Sequence, residues 1–274
     1  MLDITRIDNL STSQSLEGLK RVKIVFEYLG TNFSGYQIQP EKRTVQGEVE
    51  KLLSAFFDEP IKIYASGRTD AGVHSLGQTA HFDIKRDRIN TTQLVNYLNK
   101  HLPKDISIRD AEEVSFEFDS RFSVEKKTYV YKFYLSRYER AVYKDLALRV
   151  NDNINVEKMM QACKYLVGTH DFRSFVARKS GKNDFVRTIY DAKISSIGDG
   201  VFEFEVTGNG FLYNMVRIIM GTLIDVGSGR KNPKDIEAII NGQNRSLAGK
   251  TVPPHGLYMK GVQYGNLKQV VQNG

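Results

Sequence analysis

Gly67-Arg68-Thr69-Asp70-Ala71-Gly72-Val73-His74 lies between two segments with strand character, Ile61 to Ala65 and Gln78 to Asp83. Its small and flexible residues let the backbone turn tightly and present one side chain at a strand end, where a rigid sheet commonly displays reactive groups. Asp70 is that side chain. On the octapeptide alone two readings stand: a carboxylate that caps a turn, as Asp does in most loops, or an oxygen nucleophile facing a cleft.

Upstream of it, Val22, Ile24, Phe26 and Tyr28 alternate along the chain and give a strand one apolar face. A turn follows at Gly30 to Gly35, and Thr44 is a candidate N-cap for a helix whose stripe is Val45, Val49, Leu52, Leu53, Phe56 and Phe57, ended at Pro60. Downstream come a shorter helix carrying Leu94, Val95 and Leu98 and a strand from Ile106 to Val114, which completes a β-α-β-β-α-β order. After Arg121 a comparable order recurs. It has a strand at Tyr129 to Leu135, a helix with Val156, Met159, Met160, Cys163, Leu166 and Val167, and strands near Arg187 to Ile197 and Val201 to Thr207. A long apolar helix from about Leu212 to Val226 follows, with Met215, Ile218, Ile219, Leu223 and Ile224 as core residues. Asn232 and Pro233 then open a short helix as cap and first position, and a strand at Leu257 to Val262 closes the pattern.

The expected class is therefore α+β: two similar βαββαβ-like halves, each a mixed, mainly antiparallel sheet with helices on one face, whose bare sheet faces meet across a central cleft. The junction is expected within Glu113 to Lys127. That divides the chain into a polar extension at 1–20, a first domain at 21–117, a second at 118–266 and a tail at 267–274. A length of 274 residues agrees with two domains at roughly 150 residues each.

Composition narrows the class. Hydrophobic residues at 41% and charged residues at 26% are globular values. No apolar run approaches the roughly 18 residues of a spanning helix, and residues 1–20 lack the apolar core and cleavage site of a signal peptide. Cys163 is the only cysteine, which excludes an intrachain disulfide or cysteine cluster and suits a reducing, cytoplasmic setting. A net charge of +7 favours a polyanionic partner, because neutralising phosphates releases condensed counterions.

The octapeptide resembles, residue for residue, the catalytic motif of the tRNA pseudouridine synthase A family. An accidental match of eight residues in a chain of this length is expected at roughly 10⁻⁸. Gln78 to Phe82, Arg121-Phe122-Ser123, Tyr129-Val130-Tyr131, Gly210 to Arg217 and Pro253 to Leu257 resemble the family's later blocks in their usual order, so the likeness spans about Arg21 to Tyr264. The resemblance implies the pseudouridine synthase fold and an isomerase that moves uracil's attachment to ribose from N1 to C5. It implies tRNA as partner, a homodimer, and uridines 38 to 40 of the anticodon arm as targets. Such a reaction has no oxidation, net hydrolysis or group donor, so no cofactor is expected.

The chemistry needs a nucleophile that bonds temporarily to C1′ of the ribose or to C6 of the ring, and an Asp carboxylate suits both routes. Burial raises a carboxylate's pKa unless a cation stands near. By resemblance Arg217 supplies that cation to Asp70, although by itself it reads as a solvated helix arginine. Arg68 would fill the space that a flipped nucleotide leaves, and Leu257 and Arg121 would contact substrate. Tyr129 begins an alternating aromatic set with Tyr131 and Phe133 that reads as a packed sheet face; the family role is stacking on the target base and assisting proton removal from C5. A phenol with a free pKa near 10 is a poor base, so packing and positioning weigh more than basicity.

A uridine in a stem must be extruded, at a cost of a few kcal/mol. Arg21, Lys23, Lys42, Arg43, Lys85, Arg86, Arg88, Lys126, Lys127, Arg178, Lys179, Lys182 and Arg187 are candidate phosphate contacts. Ser246 to Thr251 ends like a phosphate-binding loop, but Asn244 stands where the earlier glycine is required. His74 and His81 form no ligand cluster of zinc spacing, and no metal is expected. Three departures from the family pattern bear on substrate choice: Leu29 in place of an acid, Tyr36 in place of a tryptophan, and Lys126 and Lys127 where paired arginines are usual. Three other readings use the same residues: a divergent paralogue acting at another RNA site, a noncatalytic RNA-binding protein, and a carboxylate glycosidase, for which no acidic partner stands at a recognisable spacing.

Overall fold

The computed structural model describes residues 18–85, 89–177 and 184–265. The expected extension up to residue 17, the tail at 267–274, and Arg86, Arg88, Arg178, Lys179 and Lys182 lie outside the described residues.

Strand β1 (Leu19–Tyr28) buries Val22, Ile24, Phe26 and Tyr28 on one face, as its alternation predicts. Helix α1 (Val45–Phe57) starts where Thr44 Oγ1 accepts the Gly47 N–H, and Asp58 ends it in the left-handed region at φ 57°. Its stripe of Val45, Val49, Leu53 and Phe57 is buried. The expected strand from Ile61 shrinks to β2 (Tyr64–Ala65). The reason is local: the Ile61 and Ile63 N–H groups donate to Ser54 Oγ and Glu50 Oε1 of α1, so they are unavailable to a sheet ladder. Strand β3 (His74–Lys85), helix α2 (Thr91–His101), capped by Asn90, and β4 (Ile106–Val114) follow.

Strand β5 (Val124–Leu135) and short β6 (Leu148–Val150) precede α3 (Val156–Cys163), whose last expected turn tightens into a 3₁₀ helix at Lys164–Leu166. Strands β7 (Gly168–Asp171), β8 (Val186–Gly198) and β9 (Val201–Gly208) lead to α4 (Met215–Gly227). Helix α5 (Asp235–Gly242) begins later than its sequence signals suggest. Asn232 and Pro233 lie in the entering turn, where Asp235 Oδ2 accepts the Asn232 N–H at 2.7 Å. Strand β10 (Leu257–Tyr264) is last.

The arrangement of the strands differs from expectation. In place of two sheets facing each other, the described strands make one ten-stranded sheet in the order β4-β1-β3-β10-β5-β9-β8-β7, with β2 on β3 and β6 on β5. Most neighbours are antiparallel; β10 runs parallel to β3 in the register Tyr258↔His74 and Met259↔Ser75, and β6 runs parallel to β5. The physical reason is edge satisfaction. β10 enters between β3 and β5 and pairs with both, so neither strand is left with a row of unpaired N–H and C=O groups.

Two apolar clusters lie on this sheet. One gathers β1, β3, α1, α2 and β4 through residues such as Phe26, Leu53, Phe82, Leu94 and Leu98. The other gathers β5, β8, β9 and α3 to α5 through Tyr131, Phe204, Met215, Ile219 and Leu223. Val73 belongs to the second cluster although its neighbours along the chain lie by the first. It carries the Asp70 loop across the β3–β10 seam.

Candidate active site

The loop from Gly67 to Val73 runs into β3 at the seam, and its backbone is held from three sides. Thr69 C=O accepts the Tyr36 N–H at 3.1 Å, Thr69 Oγ1 shares a hydrogen bond with Tyr28 Oη at 2.8 Å, and the Val73 N–H closes back on Asp70 C=O at 3.1 Å. Gly72 sits at φ +78°, where an L side chain is strained, and a Cβ there would press on Pro254. His74, fully buried, accepts the Gly30 N–H at Nδ1 at 3.0 Å, so its Nε2 carries the proton and donates to His255 C=O at 3.0 Å. One imidazole thereby ties the turn after β1, the start of β3 and the entry to β10 together, and its ring stacks on Tyr258.

Held this way, Asp70 opens onto a pocket of about 150 Å³ lined by Arg68, Tyr129, Phe211, Asn214, Arg217 and Leu257, among others. Arg217 reaches it from the first turn of α4. Its Nη1 stands 3.7 Å from Asp70 Oδ2, and the Asp70 side chain is 41% exposed, the Arg217 side chain 15%. Arg217 is aimed by its other donors: Nε to Val252 C=O and Nη1 to Asn214 Oδ1, both at 2.8 Å. Asn214 is able to stand there because it takes the left-handed conformation at φ 59° immediately before the helix. Burial pushes the Asp70 carboxyl above its ordinary value, and the Arg217 guanidinium pulls it back.

Tyr129, on β5, is partly buried and meets Phe211 edge to face at 5.1 Å between ring centres. Its phenol is pushed up to about 12, first by burial and then by the neighbouring Asp70 carboxylate. Leu257 is buried at the start of β10. Arg68 is exposed at the mouth and also lines an adjoining groove, together with Arg121. Of the six expected site residues, Asp70, Arg68, Tyr129, Arg217 and Leu257 thus share one pocket, and Arg121 lies next door.

Two wall residues were not singled out from the sequence. Phe211 and Asn214 sit inside the Gly210 to Arg217 block, but periodicity does not reveal an edge-to-face ring contact or a positive φ. Among the described residues, four of the eight charges expected to meet phosphates are ion-paired within the protein: Arg21 with Asp83, Lys23 with Glu112, Arg43 with Asp105 and Glu48, Arg187 with Asp184. Lys127 is partly buried and donates to Ser66 C=O at 2.6 Å. Leu29 is 47% exposed, whereas Tyr36 is buried with a hydroxyl that finds no hydrogen-bond partner among the described residues. The expected decoy His81 holds Ser120, whose N–H donates to Nδ1 at 3.1 Å.

Comparison with known proteins gives the relatives of this chain. A family model described as tRNA pseudouridine synthase matches residues 24–123 and 162–265. The tRNA pseudouridine synthase A of Bacillus licheniformis is 46% identical over 248 residues, covering 90% of this chain and 100% of that protein. That of Anoxybacillus flavithermus is 45% identical over 250 residues, and that of Bacillus subtilis 43% over 248, each with 90% of this chain and 100% of the relative covered. With its matched segments including the Asp70 loop and the Arg217 helix, this chain belongs to the tRNA pseudouridine synthase family.

Proposed function

We propose that this protein isomerises uridine to pseudouridine at positions 38 to 40 of the tRNA anticodon arm, with Asp70 as the nucleophile of a covalent intermediate. The observation that carries the reading is the Asp70–Arg217 pair at 3.7 Å on the wall of a pocket that also presents Tyr129 and Leu257.

The target base leaves its stack and enters the pocket, and Arg68 at the mouth takes its place in the helix. The Asp70 carboxylate bonds either to C1′ as the N1–C1′ bond breaks or to C6 of the ring. On the C1′ route uracil then turns and C5 bonds to C1′ as the carboxylate leaves that carbon. On the C6 route the N1–C1′ bond breaks after the addition, the ring turns, the C5–C1′ bond forms and the carboxylate is eliminated from C6. On both, C5 loses its proton and N1 gains one. Reactant and product are isomers, so these steps call for no cofactor. Arg217 keeps the carboxylate ionised despite its partial burial. With its phenol near 12, Tyr129 stays neutral at physiological pH, so its contribution is a ring against the base and a neutral hydroxyl. Arg121 contacts the RNA backbone outside the pocket. The working form is a cytoplasmic homodimer with one RNA reaching across both subunits; sedimentation at micromolar concentration checks the dimer.

The test is incubation of the purified protein with unmodified tRNA, followed by mapping of pseudouridine, beside an Asp70→Ala variant. Pseudouridine at 38 to 40 that vanishes in the variant is expected. Pseudouridine formed by Asp70→Ala at the wild-type rate refutes the nucleophile. Modification elsewhere marks a divergent specificity, RNA binding without isomerisation marks a noncatalytic protein, and free uracil marks glycoside cleavage.

A further inference from the structure

Beside the Asp70 pocket, and sharing Arg68 with it, lies a second groove of about 440 Å³. Two features of its lining are unusual for a surface that faces only water. Phe122 is 80% exposed and Tyr64 is 57% exposed, two large aromatic rings on one groove. Asp119 Oδ1 accepts the Arg121 and Phe122 N–H groups at 2.7 and 2.9 Å, a turn that sets the backbone at Phe122, and the Arg121 guanidinium lies 5.4 Å from the Phe122 ring. Tyr64 stacks on His81 at 5.3 Å with an interplanar angle of 23°. The charges are Lys62, Arg68, Arg121 and Lys127 against Asp119, whose Oδ1 is already occupied by the turn.

Exposed, prearranged aromatic faces next to guanidinium groups are the chemistry of a site for unstacked nucleobases, in which π faces take the bases and cations take the backbone. We infer that this groove receives a second, unpaired nucleobase of the bound RNA, adjacent to the nucleotide in the Asp70 pocket, stacked on Phe122 and Tyr64. The inference rests on the RNA-modifying reading of that pocket and adds a second base subsite to it. Phe122 and Tyr64 are positioning residues: they hold the strand so that the next nucleotide faces Asp70. Arg68, common to both grooves, marks the point where the strand passes from one to the other.

The probe is a single-stranded oligoribonucleotide carrying one 2-aminopurine, whose fluorescence falls on stacking. A tRNA transcript supplies the kinetics. With wild-type protein and with Asp70→Ala, quenching on binding is expected. In Phe122→Ala, Tyr64→Ala and the double variant the quenching is lost, and RNA binding weakens by about 5- to 150-fold for each base platform removed. The variants raise KM by a larger factor than they lower the single-turnover rate at saturating tRNA. Phe122→Tyr restores binding and Phe122→Leu does not, a difference that an effect on folding alone would not produce. Quenching and affinity unchanged in the double variant overturn the inference, as does a double variant that falls from dimer to monomer in sedimentation with its RNA affinity intact, since the rings then belong to an interface between copies. Failure of wild-type protein to form pseudouridine defeats the functional reading instead, and quenching that depends on Phe122 would still be observed.

Discussion

Replacing Arg217 by glutamine removes the cation that stands 3.7 Å from the Asp70 carboxylate and leaves a shorter, uncharged polar side chain. At that separation a pair of unit charges interacts by about 4 kcal/mol at an effective dielectric of ~20 and by about 1 kcal/mol in bulk water. Asp70 is 41% exposed, so water screens the pair and the lower part of that range applies, about 1–2 kcal/mol. The sign follows from the two opposing effects on Asp70. Burial favours the neutral acid and Arg217 favours the carboxylate, so the variant keeps the first and loses the second. A nucleophile that must be ionised loses activity as pH falls through its pKa, and in Arg217→Gln this acid limb moves to higher pH. At a pH on that limb, the single-turnover rate of pseudouridine formation, normalised to its own neutral plateau, is expected to fall by about 5- to 30-fold more than in wild type. Arg217→Lys keeps the charge and its limb stays near that of wild type. Both variants lose the bonds to Val252 C=O and Asn214 Oδ1, so both unfold at lower temperature. An acid limb in Arg217→Gln that coincides with wild type, in a protein shown to be folded, refutes the electrostatic role.

Other expectations follow from the supports of the loop. A Cβ at Gly30 would collide with the Val73 carbonyl, so Gly30→Ala is expected to destabilise the protein by about 3 kcal/mol, the upper end of the usual overpacking range, and to lower activity; wild-type melting behaviour would contradict the packing. Tyr36→Phe deletes a buried hydroxyl without a partner, and urea unfolding should show a gain of about 1 kcal/mol, whereas a clear loss would mean that the hydroxyl is satisfied in solution. His74 and His81 are both held below the usual 6.5, chiefly by burial, with Arg21 adding to the effect at His81. Each accepts a backbone N–H at Nδ1, a bond that a protonated ring cannot make. Since the unfolded chain binds these protons more readily, stability is full above about pH 6.5 and declines as pH falls below it. Urea midpoints at pH 7.5 and 5.5 check this, and a higher midpoint at pH 5.5 goes against it.

Sequence alone determined what depends on neighbours along the chain. The alternation Val22, Ile24, Phe26, Tyr28 marks a strand and its buried face, and Thr44 followed by Val45, Val49, Leu53 and Phe57 marks a capped helix and its stripe, because both periods are properties of the local backbone. The motif from Gly67 to His74 likewise pointed to the family and to Asp70 as the candidate, since a loop's chemistry is written in its own residues. Tertiary structure decided which elements meet. The apolar pattern of Leu257 to Val262 marks a strand, but nothing in it says that the strand enters between β3 and β5 and joins them edge to edge, because backbone hydrogen-bonding edges carry no address. Nor does Arg217, read as a helix residue, reveal that Asn214 and Val252 turn it toward Asp70. Ile61 to Ala65 has the composition of a strand and loses most of it to the side chains of α1, which take its N–H groups first. Periodicity specifies which face of an element is apolar; the face or edge it is matched with is set by how all the elements together bury their apolar surface and satisfy their backbone groups.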